Sequence, residues 1–187
     1  MNRSQGLRIA QRDSNPSARL GSGMQTRKLA KSSIPLARVF PVEAILVGLE
    51  SRTREGVVAE LIHRLVALGH IATEEEQDLA AGIMAREKVG STAIGNGIAM
   101  PHCRSRLAER FVGALGIEPR GIAFDSVDGA PVHVVFLVVA PPKGHEHYYD
   151  ILGRITAIGR DKTHRLHLRA CRTPELAHHF LQELDSP

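Results

Sequence analysis

From Ile34 onward the apolar residues alternate between two spacings. Some segments carry the near-continuous β-branched runs of buried strands, others the three-and-four spacing of a helix face. Val42–Leu49 reads as a first strand. Over Arg52–Leu68, the residues Val57, Val58, Leu61, Ile62, Leu65, Val66 and Leu68 fall on one broad helical face, and Gly69 is the expected stop. Thr73 reads as the N-cap of a second helix running to about Arg86, with Glu74–Glu76 favouring the dipole of its first turn. That helix is expected to bury Leu79, Ile83 and Met84. Gly97–Met100 reads as a short strand, and Phe111–Ile117 and Val132–Val139 as buried ones. Pro141-Pro142 ends the last of these.

The C-terminal third reads as helical. His145–Arg160 forms a third helix with Tyr148, Ile151, Leu152 and Ile155 inward, and Thr163–Cys171 a short fourth. Thr173-Pro174-Glu175 opens a last helix through Leu184, with proline at its first position. Strands interleaved with helices predict an α/β layered domain.

Composition narrows the setting. The chain has 187 residues, which suits one domain and a modest tail. It lacks tryptophan and is only 4% aromatic, so its core must be aliphatic. No apolar run approaches membrane-spanning length, so membrane insertion is not expected. Two cysteines, Cys103 and Cys171, make no disulfide framework and fit a reducing, cytoplasmic compartment.

The net charge of +4 is unevenly placed. Residues 1–33 hold seven Lys/Arg and one acid, whereas 34–187 carry a net −2. Residues 1–33 therefore read as a disordered basic extension and 34–187 as the folded domain. An organelle transit peptide, or a true start at Met24, would give the same composition. No signal-peptide apolar core is present, which argues against secretion. The folded part has no basic excess, so nucleic acid is not an expected partner.

The candidate chemistry lies between Arg86 and Cys103, Arg-Glu-Lys-Val-Gly-Ser-Thr-Ala-Ile-Gly-Asn-Gly-Ile-Ala-Met-Pro-His-Cys. It ends on His102, directly after a proline and a glycine-rich, hydroxyl-bearing run. A neutral imidazole has one free lone pair and can accept a phosphoryl group and pass it on. Such a transfer needs an oriented ring, donors for the phosphoryl oxygens and access for a second protein. Ser91, Thr92 and backbone N–H groups are candidate donors, and Arg86 is a candidate cation. His145 and His147 open the third helix, and either ring could meet a group carried on His102.

This run resembles the active-site signature of the enzyme IIA proteins of the bacterial phosphoenolpyruvate-dependent phosphotransferase system. The fructose/mannitol class is the match, and within it the nitrogen-regulatory branch. The resemblance extends from about Leu36 to Leu184, through Gly121-Ile122-Ala123-Phe124-Asp125 and the His-Xaa-His at 145–147. The expected architecture is a three-layer α/β/α sandwich, a small mixed β-sheet flanked by helices. The resemblance implies His102 as the phosphorylated residue, with Nε2 the nucleophile. It implies Arg86 and His147 as auxiliary residues and Ser91, Thr92, Asn96 and Gly97 as the loop lining the site. It implies a phosphotransferase component whose donor is a phosphocarrier protein, HPr or its nitrogen-branch relative NPr. Downstream would lie regulatory target proteins or a separate EIIB, and no metal or organic cofactor. Met100 and Cys103 depart from the family pattern, which has Ile or Val and Gly or Ala there.

Other readings of the same residues stay open at this level. His145 and the remaining histidines fit structural or surface roles. A zinc site from His102, Cys103, His145 and His147 is chemically conceivable but has no ligand spacing beyond His-Xaa-His. Gly95-Asn96-Gly97 is no dinucleotide fingerprint, since the third glycine and following helix are missing. At the level of function, regulatory signalling by phosphorylation state stands beside relay to a sugar-specific EIIB. Lesser alternatives are a protein-binding module without phosphotransfer and a tail-mediated contact with nucleic acid or membrane.

Overall fold

A computed structural model describes residues 34–106 and 108–186. The expectations for residues 1–33 lie outside the described residues.

A six-stranded mixed sheet separates two helical layers. In chain order the elements are α1 (Leu36–Val39), β1 (Ile45–Val47), α2 (Arg54–Ala67), α3 (Glu76–Val89), β2 (Ala93–Gly95), β3 (Ile98–Ala99), β4 (His102–Arg104), β5 (Val112–Ile122), β6 (Val132–Ala140), α4 (His145–Arg160), α5 (Lys162–Ala170) and α6 (Pro174–Asp185). The strand order is β1-β5-β6-β3-β2, and β4 pairs with β6 beyond the end of β3. β5 and β6 are antiparallel, while β1 runs parallel to β5 and β3 and β4 run parallel to β6. The predicted α/β/α sandwich is the fold observed.

Alternation along β6 assigns the faces. Val135, Leu137 and Val139 pack with Val57, Val58, Leu61, Ile62 and Leu65 of α2 and Leu79 and Ile83 of α3. Val134, Phe136 and Val138 pack with α1, α4, α5 and α6, through side chains such as Phe40, Ile151, Ile155 and Phe180. A side-chain period of two makes this division automatic once both faces are covered. The helices of the second layer are clamped by Asp185, whose carboxylate accepts the N–H groups of Leu36 (2.8 Å) and Ala37 (2.9 Å) and pairs with Arg154 of α4.

Several boundaries differ from the sequence reading. The first strand shrinks to Ile45–Val47, because Val42–Ala44 form a 3-10 turn after Pro41. Thr73 is not a side-chain cap; it begins a 3-10 turn that leads into α3, which continues to Val89. α2 is capped as a β-to-helix junction should be, with Thr53 accepting the Gly56 N–H. Thr173 caps α6 in the same way, with Pro174 in the first turn. β5 runs on to Ile122 past an irregularity at Glu118–Gly121, where Arg120 pairs with Glu118. β2 and β4 have no counterpart in the sequence reading.

Candidate functional site

His102 sits on β4 opposite Val138, and Cys103 opposite Val139. Paired residues of parallel strands share a face, so His102 is turned to the α4 layer and Cys103 to the α2–α3 layer. The imidazole lies edge-on to the Tyr148 ring, with centroids 5.8 Å apart. Its Nδ1 is 2.7 Å from the carbonyl oxygen of Met100. A carbonyl can only accept, so Nδ1 carries the proton. In the neutral ring the lone pair therefore resides on Nε2, which has no hydrogen-bond partner among the described residues.

The Met100 carbonyl is itself held in place. The Met100 N–H donates to Thr92 O at 3.2 Å. Thr92 is buried, and its N–H donates to the buried carboxylate of Glu87 at 2.9 Å; its hydroxyl donates to the same carboxylate. Ser91 donates its hydroxyl to Phe124 O at 3.2 Å, tying the signature to the Gly121–Asp125 segment. The hydroxyls of Ser91 and Thr92 thus brace the backbone behind His102.

Arg104 lies two residues beyond His102 and so shares its face. Its guanidinium carbon lies 4.4 Å from the centroid of the Tyr148 ring, a cation–π geometry. The same group donates to Pro142 O at 3.2 Å and contacts the His145 ring at 3.1 Å. Burial pushes the Tyr148 phenol upward, partly opposed by Arg104. Burial, then the Glu75 carboxylate, pushes the Cys103 thiol up to about 11.

α4 begins at Gly144, whose φ of 92° is left-handed and suits glycine. A Cβ there would stand 3.4 Å from Phe111. His147, half-buried in the first turn, meets the edge of Phe111 with centroids 6.5 Å apart. It therefore stands beside Tyr148, the residue against the His102 ring.

The sequence-predicted residues divide into groups. His102 and His147 lie at the same end of the sheet, where β4 and β6 finish and α4 starts. Arg86 is exposed near the end of α3, with its guanidinium donating to Gly90 O at 2.8 Å. No hydrogen bond links Arg86 to His102 in this structure. Asn96 and Gly97 are not brought to His102. They form the two-residue turn of the β2–β3 hairpin, with φ of 58° and 79°. The pairings Ile98↔Val134 and His102↔Val138 set them four residue steps apart along β6, about 13 Å.

Tyr148 was expected only as a core residue, and Arg104, Glu87 and the Met100 carbonyl were not foreseen at all. Arg104 could have been found by strand alternation from His102. The Glu87–Thr92 bond, closed across the end of α3, has no such signal.

These features define a class: an α/β/α domain that presents one histidine, with a fixed tautomer, on a short edge strand. The family follows from comparison. Residues 38–184 match the model of the phosphoenolpyruvate-dependent sugar phosphotransferase system EIIA 2 family, and the chain belongs to that family. It is 31% identical over 148 residues to a nitrogen regulatory protein of Bradyrhizobium diazoefficiens, covering 79% of this chain and 95% of the relative. It is 33% identical over 153 residues to a nitrogen regulatory protein of Pseudomonas aeruginosa, covering 82% and 98%. The crystal structure of nitrogen regulatory protein IIA-Ntr from Neisseria meningitidis superposes with a TM-score of 0.71 at 24% identity, over 78% of this chain and 97% of that one. No helix among the described residues is long and apolar enough to cross a membrane.

Proposed function

We propose that this chain is a phosphohistidine carrier in which Nε2 of His102 accepts a phosphoryl group from a phosphocarrier protein of the HPr or NPr type. The observation that carries this reading is the Nδ1–H bond to the Met100 carbonyl, which leaves the Nε2 lone pair available. In the transfer, the lone pair forms an N–P bond while the donor's N–P bond breaks and its electron pair returns to the donor ring. The accepting ring becomes cationic, and its Nδ1–H bond to Met100 strengthens as a charge-assisted bond. The backbone acceptor thus orients the nucleophile and stabilises the product.

His147, and Arg86 once its side chain releases Gly90, would stabilise the phosphoryl oxygens. Ser91 and Thr92 act by holding the loop. Asn96 and Gly97 enter this reading as the hairpin that shapes the loop.

The output is regulatory: phosphorylation adds about two negative charges at a half-buried ring beside Tyr148 and Phe111, which changes what that face can bind. Similarity to nitrogen regulatory proteins along nearly their whole length supports this over relay to a separate EIIB.

Incubation with phosphoenolpyruvate, enzyme I and an HPr-type carrier should give an acid-labile, base-stable label. His102→Ala should abolish it. Equal labelling of that variant would refute the assignment. Affinity capture with phosphorylated and unmodified protein should give different partners; transfer of the label to an EIIB instead would establish the relay.

A further inference from the structure

At the other end of the sheet from His102 lies a second, unassigned cleft of about 200 Å³. The hairpin turn Asn96-Gly97 and His133 form one side of it; Lys162, Arg165 and Arg169 of α5 form the other. None of these three cations forms an ion pair with a carboxylate among the described residues, although Asp161, at the head of α5, interacts electrostatically with Arg165. Lys162 has no hydrogen bond there, and Arg169 has one long bond, to Pro119 O at 3.4 Å. Arg165 directs Nη1 to the carbonyls of Gly159 (2.9 Å) and Arg160 (3.0 Å), which leaves its other N–H groups available.

The carboxylates on the flanking elements are already engaged. Asp161 caps α5 through the N–H groups of Thr163 and His164. Asp128 accepts from the Asn96 N–H and the Ser126 hydroxyl, and Glu118 pairs with Arg120. Three cations lining one cleft with no ion-paired carboxylate repel one another, and an anion between them relieves that cost.

The remaining walls refine the ligand. His133 commits Nδ1–H to Glu118 O at 3.2 Å, so its neutral Nε2 is an acceptor and matches a hydroxyl. Its ring is packed against Gly97, where a Cβ would lie only 3.1 Å from Cδ2. Leu166, 54% exposed, supplies an apolar lip. The volume is below the 300–1,000 Å³ typical of drug-sized ligands and suits a small one.

We infer that this cleft is a non-covalent binding site for a small hydroxylated phosphomonoester, with its phosphate among Lys162, Arg165 and Arg169 and a hydroxyl toward His133. It is separate from the phosphoryl-accepting histidine and does not depend on that reading.

The test is a titration of the ¹⁵N-labelled full chain with inorganic phosphate and with glycerol 3-phosphate, at ionic strength held constant with sodium chloride. Saturable amide shifts are expected at 96–98, 133–134 and 162–169, with glycerol 3-phosphate binding several-fold more tightly than phosphate. Lys162→Gln with Arg169→Gln should weaken binding at least tenfold, whereas His102→Ala should leave it unchanged. Arg165 is kept intact because it closes the end of α4. Shifts confined to 102–104 and 145–148, shifts that do not saturate, or binding indifferent to the double substitution would overturn the proposal.

Discussion

Cys103 shows how one strand position divides two chemistries. It is the neighbour of the phosphoryl-accepting candidate, yet the pleat turns it into the α2–α3 core while His102 faces α4. Burial and Glu75 hold its thiol up at about 11. Since the thiolate is the reactive form, alkylation of Cys103 at pH 8 should be far slower than that of an unfolded control, as mass spectrometry after iodoacetamide would show. The same shift affects stability. The folded state keeps the proton longer than the unfolded chain, so the Cys103 contribution is lost as pH rises from 9 toward about 11. Urea unfolding across that interval should show a steeper decline for the natural chain than for Cys103→Ala. The cysteine itself was visible in the sequence, but its orientation required knowing that 102–104 is a strand. Three residues are too few to show alternation, which is why β4 escaped the reading while its histidine did not.

At the scale of elements, the signature is a brace linking the end of α3 to β2, β3 and β4. Glu87 receives Thr92, Thr92 receives Met100, and Met100 receives His102. Thr92→Val removes one donor from a buried carboxylate and should cost about 2 kcal/mol in urea unfolding. It should also slow phosphorylation, and Thr92→Ser should restore both. α2 and α4 were legible because each carries a broad apolar face; α4 has the predicted bounds, and α2 is shorter by two residues at the start and one at the end. The hairpin was not, although Asn96-Gly97 is the strongest short-range hairpin signal. The two strands that this turn joins are only three and two residues long, too short for alternation to show. The roles given to Asn96 and Gly97 thus came from the signature, whereas their backbone angles belong to the turn. His102 was legible because its neighbours in sequence are its supports; Arg104, Tyr148 and Glu87 gather around it only after folding.

For the whole molecule, the second helical layer depends on a contact between residues far apart in the chain. Asp185 in α6 receives Leu36 and Ala37 from α1 and Arg154 from α4. Arg154→Met leaves this partly buried carboxylate without its counter-charge. The expected loss is about 2 kcal/mol, which for a domain of this size lowers Tm by about 4–8 °C, measurable by calorimetry. That clamp also imposes an order on synthesis. On the ribosome, the first helix emerges long before the residue that holds it, so the N–H groups of Leu36 and Ala37 gain the Asp185 carboxylate only after α6 has left the exit tunnel.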